Sequence, residues 1–434
     1  MRIIVWGINY APELTGIGPF NTGLCEYLVE HGHQVEIATT FPYYPFWQKI
    51  PGDRGRLYRT DQIDAVQVHR CWHYVPGKAT TLRRIWHELS FALTSFVRVL
   101  FLARPDVYLV VSPPLALGPL ASIMAWLKRR PYFFHVQDLQ PDAAVSLGMV
   151  QAGQFTRLLY RLESWAYRDA AVVSGISEGM RRAFLSKGVP ESKCVLFPNW
   201  LRTVASNVDY RLLEEERGAG SRAFRGKFGI PPAAFVASYS GNLGRKQGLE
   251  SLVEAAAKLR GAPGDGANPA ASDRPTREIV VVIIGDGVMK LALQNQISAA
   301  GVERHIRMLP LLLERDYRDM LMASDVCLVT QAPGTGQYFF PSKLLSVLAA
   351  GTPVLSVADR DSELARAVDE GRFGVNVAPG NPQALADKLR ELAENPAPLT
   401  EMRIRTSWVR RFSASHVLGA FEQRLRETVE TKPG

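Results

Sequence analysis

Lys343 opens the most chemically suggestive stretch of the sequence. An apolar run at 326–329 reads as a buried strand, a loop with Gly334 and Gly336 follows, and Pro341-Ser342 marks a helix start. Leu344, Leu345, Leu348 and Ala349 repeat at helical spacing until Gly351 stops the helix, and 353–355 open the next strand. A glycine loop feeding a helix start offers free backbone N–H groups and the positive end of a dipole, and a lysine in the first turn adds a point charge. That fits capture of a phosphate; the spacing alone equally fits an ordinary strand–loop–helix with a solvated lysine. A second glycine loop, Gly241-Asn242-Leu243-Gly244-Arg245-Lys246-Gln247-Gly248, lies between a strand at 235–240 and a helix at 251–260. Two cations inside such a loop form a phosphate clamp.

Two other constellations bear on chemistry. His135 and Asp138 follow the apolar run 132–134 into a polar loop, and ligands of open parallel sheets sit beyond the carboxyl ends of strands. A lone strand-end histidine is commonly structural, but the carboxylate three residues later makes the two a candidate catalytic pair. Gly175-Ile176-Ser177-Glu178-Gly179 matches a nucleophile elbow, which would make Ser177 a hydrolase serine. That reading needs a later acid and histidine, and neither His305 nor His416 stands in a convincing strand-end loop.

These residues must be positioned by an α/β chain. A strand at 3–7, a loop with Gly16 and Gly18, a helix at 20–30 and a strand at 35–39 form a βαβ opening. The glycines of that loop fail the dinucleotide fingerprint: position 21 is Asn, and Thr39-Thr40 rather than an acid ends the second strand. An NAD enzyme is disfavoured. The aromatic loop 41–47 suits stacking on a sugar ring or lipid headgroup, or packing under the domain. The stretch 82–104 reads as one long helix with Arg83, Arg84, Arg98 and Arg104, fit either to lie in a membrane interface or to pack on a sheet. Residues 203–232 read as a linker, 261–276 as a disordered surface insertion, and 408–429 as a helix crossing back to the first domain.

At 434 residues, with 47% hydrophobic and 21% charged residues, the chain has material for two to three domains. Its net charge of +9 is lopsided: residues 1–202 hold 22 Lys/Arg against 15 Asp/Glu. A basic half suits a phosphorylated ligand or an anionic membrane surface; with no arginine-rich run or nucleic-acid module, nucleic acid ranks last. Four well-separated cysteines match no metal or redox spacing and suit a reducing cytosol. The first residues read as a strand rather than a signal peptide. The uncharged stretch 107–127 is long enough to span a bilayer, but Pro113, Pro114, Gly118 and Pro119 make it a strand, a turn and a helix.

The pattern Pro341-Ser342-Lys343 followed by Leu348-Ala349-Ala350-Gly351 and Pro353-Val354 resembles the donor-site signature of the retaining, nucleotide-sugar-dependent glycosyltransferases of family 4, which have the GT-B architecture. Within that family the likeness is to the WcaI-type enzymes of colanic acid and exopolysaccharide synthesis. The resemblance runs nearly the whole chain and is most specific at 133–142, 239–249 and 341–354. It implies two Rossmann-like domains facing a cleft: an acceptor domain at 1–202, joined by the returning helix, and a nucleotide-sugar donor domain at 233–407. It assigns the donor diphosphate to Arg245, Lys246, Ser342 and Lys343, with Gly16 and Gly18 facing the reacting sugar and phosphates. Gly241, Asn242, Gly285, Asp286, Gly287 and Glu363 come near the nucleotide or its sugar. Tyr338 and Ser346 stand where many members carry glutamates, and the family's Lys-Gly pair falls on Gln247-Gly248. Asp359-Arg360-Asp361 imitates the metal motif of another glycosyltransferase fold, but here it precedes a helix, so no metal is expected. The implied enzyme sits in the cytoplasm, peripheral on the inner membrane, and uses a polyprenyl-diphosphate-linked saccharide as acceptor. The rivals are the Ser177 hydrolase and a sugar-nucleotide-binding protein without turnover.

Overall fold

The computed structural model describes residues 1–13, 16–77, 80–146, 153–201, 210–260, 277–336, 341 and 343–430. The chain divides into two units, Met1–Arg202 with Ala414–Gly434, and Thr203–Ser413.

In the first unit the chain runs β1 (Arg2–Trp6), α1 (Gly18–Glu30), β2 (Gln34–Thr40), β3 (Tyr58–Ile63), β4 (Val66–Cys71), α2 (Thr81–Leu100), β5 (Val107–Ser112) and α3 (Leu117–Lys128). It continues with β6 (Tyr132–Val136), α4 (Gln140–Ser146), α5 (Gln154–Asp169), β7 (Val172–Gly175), α6 (Glu178–Ser186) and β8 (Cys194–Leu196). The sheet order is β3-β4-β2-β1-β5-β6-β7-β8, parallel throughout except for the antiparallel edge pair β3–β4. Strands such as β1 and β5 are buried apolar runs because helices cover both faces of a parallel sheet. The stretch 107–127 is β5, a proline turn and α3, and among the described residues no helix is long and apolar enough to cross a membrane.

The second unit begins with α7 (Tyr210–Phe228), then β9 (Phe235–Ser240), α8 (Glu250–Leu259), β10 (Ile279–Ile284), α9 (Lys290–Ala300), β11 (Ile306–Leu309), α10 (Glu314–Ala323) and β12 (Val326–Thr330). It closes with α11 (Lys343–Ala349), β13 (Val354–Val357), α12 (Glu363–Gly371), β14 (Gly374–Val377), α13 (Pro382–Glu394) and α14 (Ala397–Arg405). Its six parallel strands lie in the order β11-β10-β9-β12-β13-β14, so chain direction across the sheet reverses between β9 and β12. In doubly wound sheets ligands bind outside the carboxyl ends of the strands at such a point.

Two expectations change. The stretch 203–232 contains α7, whose Gly220 lies so near α10 that a Cβ there would sit 2.9 Å from the Met322 sulfur. Of the glycines that suggest a linker, Gly220 serves close helix packing. The helix expected over 408–429 is two pieces: a 3-10 segment, Thr406–Phe412, with Trp408 against Phe373, and then α15 (Ala414–Glu430). Only α15 belongs to the first unit, where Phe421 stacks on Phe197 at 3.8 Å between ring centres.

Candidate functional site

In the second unit the loops after β9, β10 and β12 meet at the switch point through their backbones. The Gly241 amide donates to the Ile284 carbonyl (3.0 Å), the Leu243 amide to Asp286 (2.9 Å), and the Met289 amide to Leu243 (2.9 Å). Gly285 is required by this approach: at φ +150° its missing Cβ would lie 1.9 Å from the Gly241 oxygen. The Ala332 amide donates to the Lys246 carbonyl at 2.9 Å, tying the β12 loop to the basic turn. Arg245 is exposed and Lys246 half-buried in that turn, Asn242 is exposed beside them, and Gly248 ends the turn at φ +60°.

Lys343 begins α11, two residues later than Pro341 suggested. Its ammonium is shielded from solvent, has no hydrogen-bond partner among the described residues, and lies 3.8 Å from the centre of the Tyr239 ring. The Tyr239 hydroxyl donates to the Asn242 carbonyl (2.8 Å), which holds the ring beneath the cation. Burial, with the nearby Lys246 charge, brings the Lys343 pKa down to about 7, against a weaker opposing effect of Cys327. An unpaired cation in a low-dielectric site is costly unless an anion joins it.

The other expected residues of this unit have less open roles. Asp286 turns back on its own loop: the Gly287 amide donates to it at 2.8 Å and Lys290 at 3.3 Å, and these bonds lower its pKa. Ser346 donates to the Lys343 carbonyl (2.9 Å) and pairs with the Tyr317 hydroxyl (2.9 Å), so its polarity is satisfied inside the unit. Glu363, in the first turn of α12, is largely covered and pairs with Arg366 at 3.5 Å. Its amide donates to Gly336, while Asp359 accepts from the Gly334 amide at 2.7 Å, so the start of α12 anchors the glycine loop. Asp359-Arg360-Asp361 is thus a loop before the helix capped by Ser362. Ser342, Tyr338 and the stretch 261–276 lie outside the described residues.

In the first unit His135 and Asp138 do not come together as an acid–base pair. The ring of His135 is buried, with Nδ1 3.0 Å from Ser174 Oγ, Nε2 2.9 Å from the Gln137 amide, and Phe197 packed against its face. Burial drives its pKa down to about 3, so it is neutral and enclosed. Asp138 is exposed on the following turn. Its charge helps raise the pKa of Glu88, a carboxyl on α2 that burial first of all pushes up to about 7 and that accepts from Gln140 at 2.9 Å. Glu88 sits mid-helix, where no motif marks it.

Gly16 (φ +70°) lies against the Tyr44 ring, and Gly18 opens α1 against Glu13. Glu13 is the hub here: buried, it accepts from the Tyr43 and Tyr44 amides (2.9 Å each) and from Asn9 (2.7 Å). Its one legible signal is its place three residues before Gly16. Ser177 is buried and caps α6, accepting from the Met180 amide at 3.2 Å. Gly175 must be glycine because a Cβ there would meet Met180 and Phe184 at 2.9 Å. The elbow pattern is a packed helix start.

Comparison with known proteins bears on the whole chain. Residues 15–200 match the family described as Glycosyl transferase 4-like domain, and 221–407 match Glycosyl transferases group 1. A protein of Escherichia coli strain K12, named as a colanic acid biosynthesis glycosyl transferase, WcaI, is 32% identical over 397 residues, covering 90% of this chain and 92% of its own. Among solved structures, a sucrose-phosphate synthase from Thermosynechococcus elongatus superposes with a TM-score of 0.74 over all of both chains at 15% identity. Anabaena HepE, in complex with UDP-glucose, gives 0.64, also over all of both chains and at 15% identity.

Proposed function

The chain belongs to the family 4 glycosyltransferases and has their GT-B fold, and from that premise we propose that it transfers a sugar from a nucleoside diphosphate sugar to a polyprenyl-diphosphate-linked saccharide in exopolysaccharide synthesis, with retention and without a metal. The observation that carries the donor half is the shielded ammonium of Lys343, without a hydrogen-bond partner among the described residues and within reach of the Lys246 charge. A fold neighbour holding UDP-glucose supports the same reading.

In the reaction the bond from the sugar's anomeric carbon to the diphosphate oxygen breaks. The acceptor hydroxyl oxygen bonds to that carbon from the same face, and its proton passes to the departing diphosphate. What this asks of the protein is stabilisation of the growing charge, which fixed cations supply where water is excluded. Lys343 is placed for that work, with Arg245 and Lys246 at the rim. No enzyme nucleophile is called for.

The membrane half rests on α2. Its inner face, with Phe91, Ser95 and Val99, packs on the sheet, so the packing reading holds for that side. Its outer face carries Leu82, Trp86, Leu89, Leu93, Val97 and Phe101, each between 39% and 80% exposed, at spacings of three and four. Arg83, Arg84 and Arg104 flank this stripe, as an anionic lipid surface would favour.

A thermal-shift panel of UDP, GDP, ADP and their sugar conjugates tests the donor half. A ligand at 100 times its Kd should stabilise by about 2.7 kcal/mol. The shift should follow one nucleoside diphosphate, and Lys343→Ala should weaken binding about thirtyfold or more, the cost of truncating one side of a buried charge pair. No shift from any nucleotide would overturn the reading.

A further inference from the structure

The carboxyl edge of the first unit carries a groove that the donor chemistry does not use. The loops after the parallel strands β2 and β4 enclose about 310 Å³ lined by Trp47, Lys49, Arg54, Trp72, His73 and Tyr74. Trp47 adopts φ +53°, a conformation a bulky side chain rarely takes, and Arg84 lies over its indole at 5.5 Å. Lys49 donates to the His73 carbonyl and stands 5.2 Å from the Trp72 ring centre. The nearest acid, Asp53, is buried and paired with Arg59, so the groove keeps a positive balance with the exposed Arg54 at its rim. The ring of His73 is fully buried behind this groove, and burial lowers its pKa, so it is neutral there. Tyr43 packs on His73 at 4.9 Å, and its neighbour Tyr44 lies against Gly16, so the groove is continuous with the glycine loop.

Indole faces beside fixed cations suit a ligand that is part carbohydrate and part phosphate: rings stack on the aromatics while the cations neutralise the anion. Resting on the glycosyltransferase reading above, we propose that this groove binds the phosphorylated saccharide end of the acceptor, with sugar against Trp47 and Trp72 and phosphate at Lys49 and Arg54. Burial lowers the pKa of Lys49, and a bound phosphate would oppose that shift.

The test is a tryptophan-fluorescence titration of the full chain with glucose 1-phosphate, farnesyl diphosphate and methyl glucoside. The expected result is saturable quenching by the two phosphorylated probes, weakened at least tenfold in Arg54→Met and in Lys49→Met and retained in Arg245→Ala. Tighter binding of glucose 1-phosphate than of farnesyl diphosphate assigns the groove to the sugar phosphate itself; the reverse order assigns it to the lipid-borne phosphate. Both fit the proposal. Arg54 is exposed, so its variant reads binding even if Lys49→Met folds poorly. Quenching unchanged in Arg54→Met, or lost in Arg245→Ala, overturns the proposal. If the probes fail to bind while a nucleoside diphosphate still gives its Lys343-dependent shift, the groove assignment alone fails. If neither binds, the transferase reading fails with it.

Discussion

The two carboxyl edges of this molecule handle polar groups in opposite ways. In the second unit, backbone meets backbone at Gly241, Gly285 and Leu243, and the shielded ammonium of Lys343 has no hydrogen-bond partner among the described residues. Around the glycine loop of the first unit the buried side chains are satisfied: Glu13 takes two backbone amides and the Asn9 side chain, and His135 has both ring nitrogens engaged. One edge is stable as it stands. The other holds an unmatched charge that a ligand would complete. Truncating a satisfied side chain such as Glu13 should therefore cost stability, and truncating Lys343 should cost binding, while the glycines that lock the second edge answer for its stability.

Gly285→Val should have the largest effect, because any Cβ meets the Gly241 oxygen at 1.9 Å. A loss of roughly 3 kcal/mol or more, or failure to express folded protein, is expected. A melt near that of the parent chain would mean the two loops are not locked together. Next, Glu13→Ala should lose about 1–3 kcal/mol by stranding the Tyr43 and Tyr44 amides, with nucleotide affinity unchanged. Loss of affinity without loss of stability there would dissolve the contrast between the edges.

Lys343→Met sharpens the contrast through pH. Burial holds the Lys343 pKa at about 7, below that of an unfolded lysine, with Lys246 and Cys327 the other ionisable groups acting on it. The unfolded chain therefore binds more protons between about pH 7 and 10, and this group makes stability rise with pH across that window. Urea melts of the variant should lose that rise, and at pH 7 it should be no less stable than the parent. Ser177→Ala should have the smallest effect, about 1 kcal/mol from a lost helix cap, with transfer activity retained. Ester hydrolysis by the parent chain that a folded Ser177→Ala protein loses would revive the hydrolase.

How much was legible in the sequence follows the same division. The switch-point loops are runs of consecutive residues, so Arg245, Lys246 and Lys343 could be read from spacing and resemblance, as could the strand, turn and helix of 107–127. Contacts between distant segments could not. Glu13 gains its meaning only when the loop before Gly16 meets Tyr43, and Glu88 only when α2 meets Gln140. His135 sits at a strand end, as expected, but Ser174 and Gln137, on β7 and the next turn, decide that it is packed rather than open. The α7 region reads as a linker from its polar, glycine-bearing composition, because the reason for Gly220 lies on α10, about a hundred residues away. The edge hairpin β3–β4 carries charges on both strands, Arg59, Asp61 and Arg70, which hide its alternation.

The most direct test of the central claim is calorimetric titration of the nucleoside diphosphate that gives the largest thermal shift, at pH 8 in two buffers of different ionisation enthalpy. If that diphosphate pairs with Lys343, binding raises a pKa that starts near 7, and close to one proton should be taken up per ligand, with none in Lys343→Met. The same proton count in both proteins, or binding of equal strength, would contradict the account.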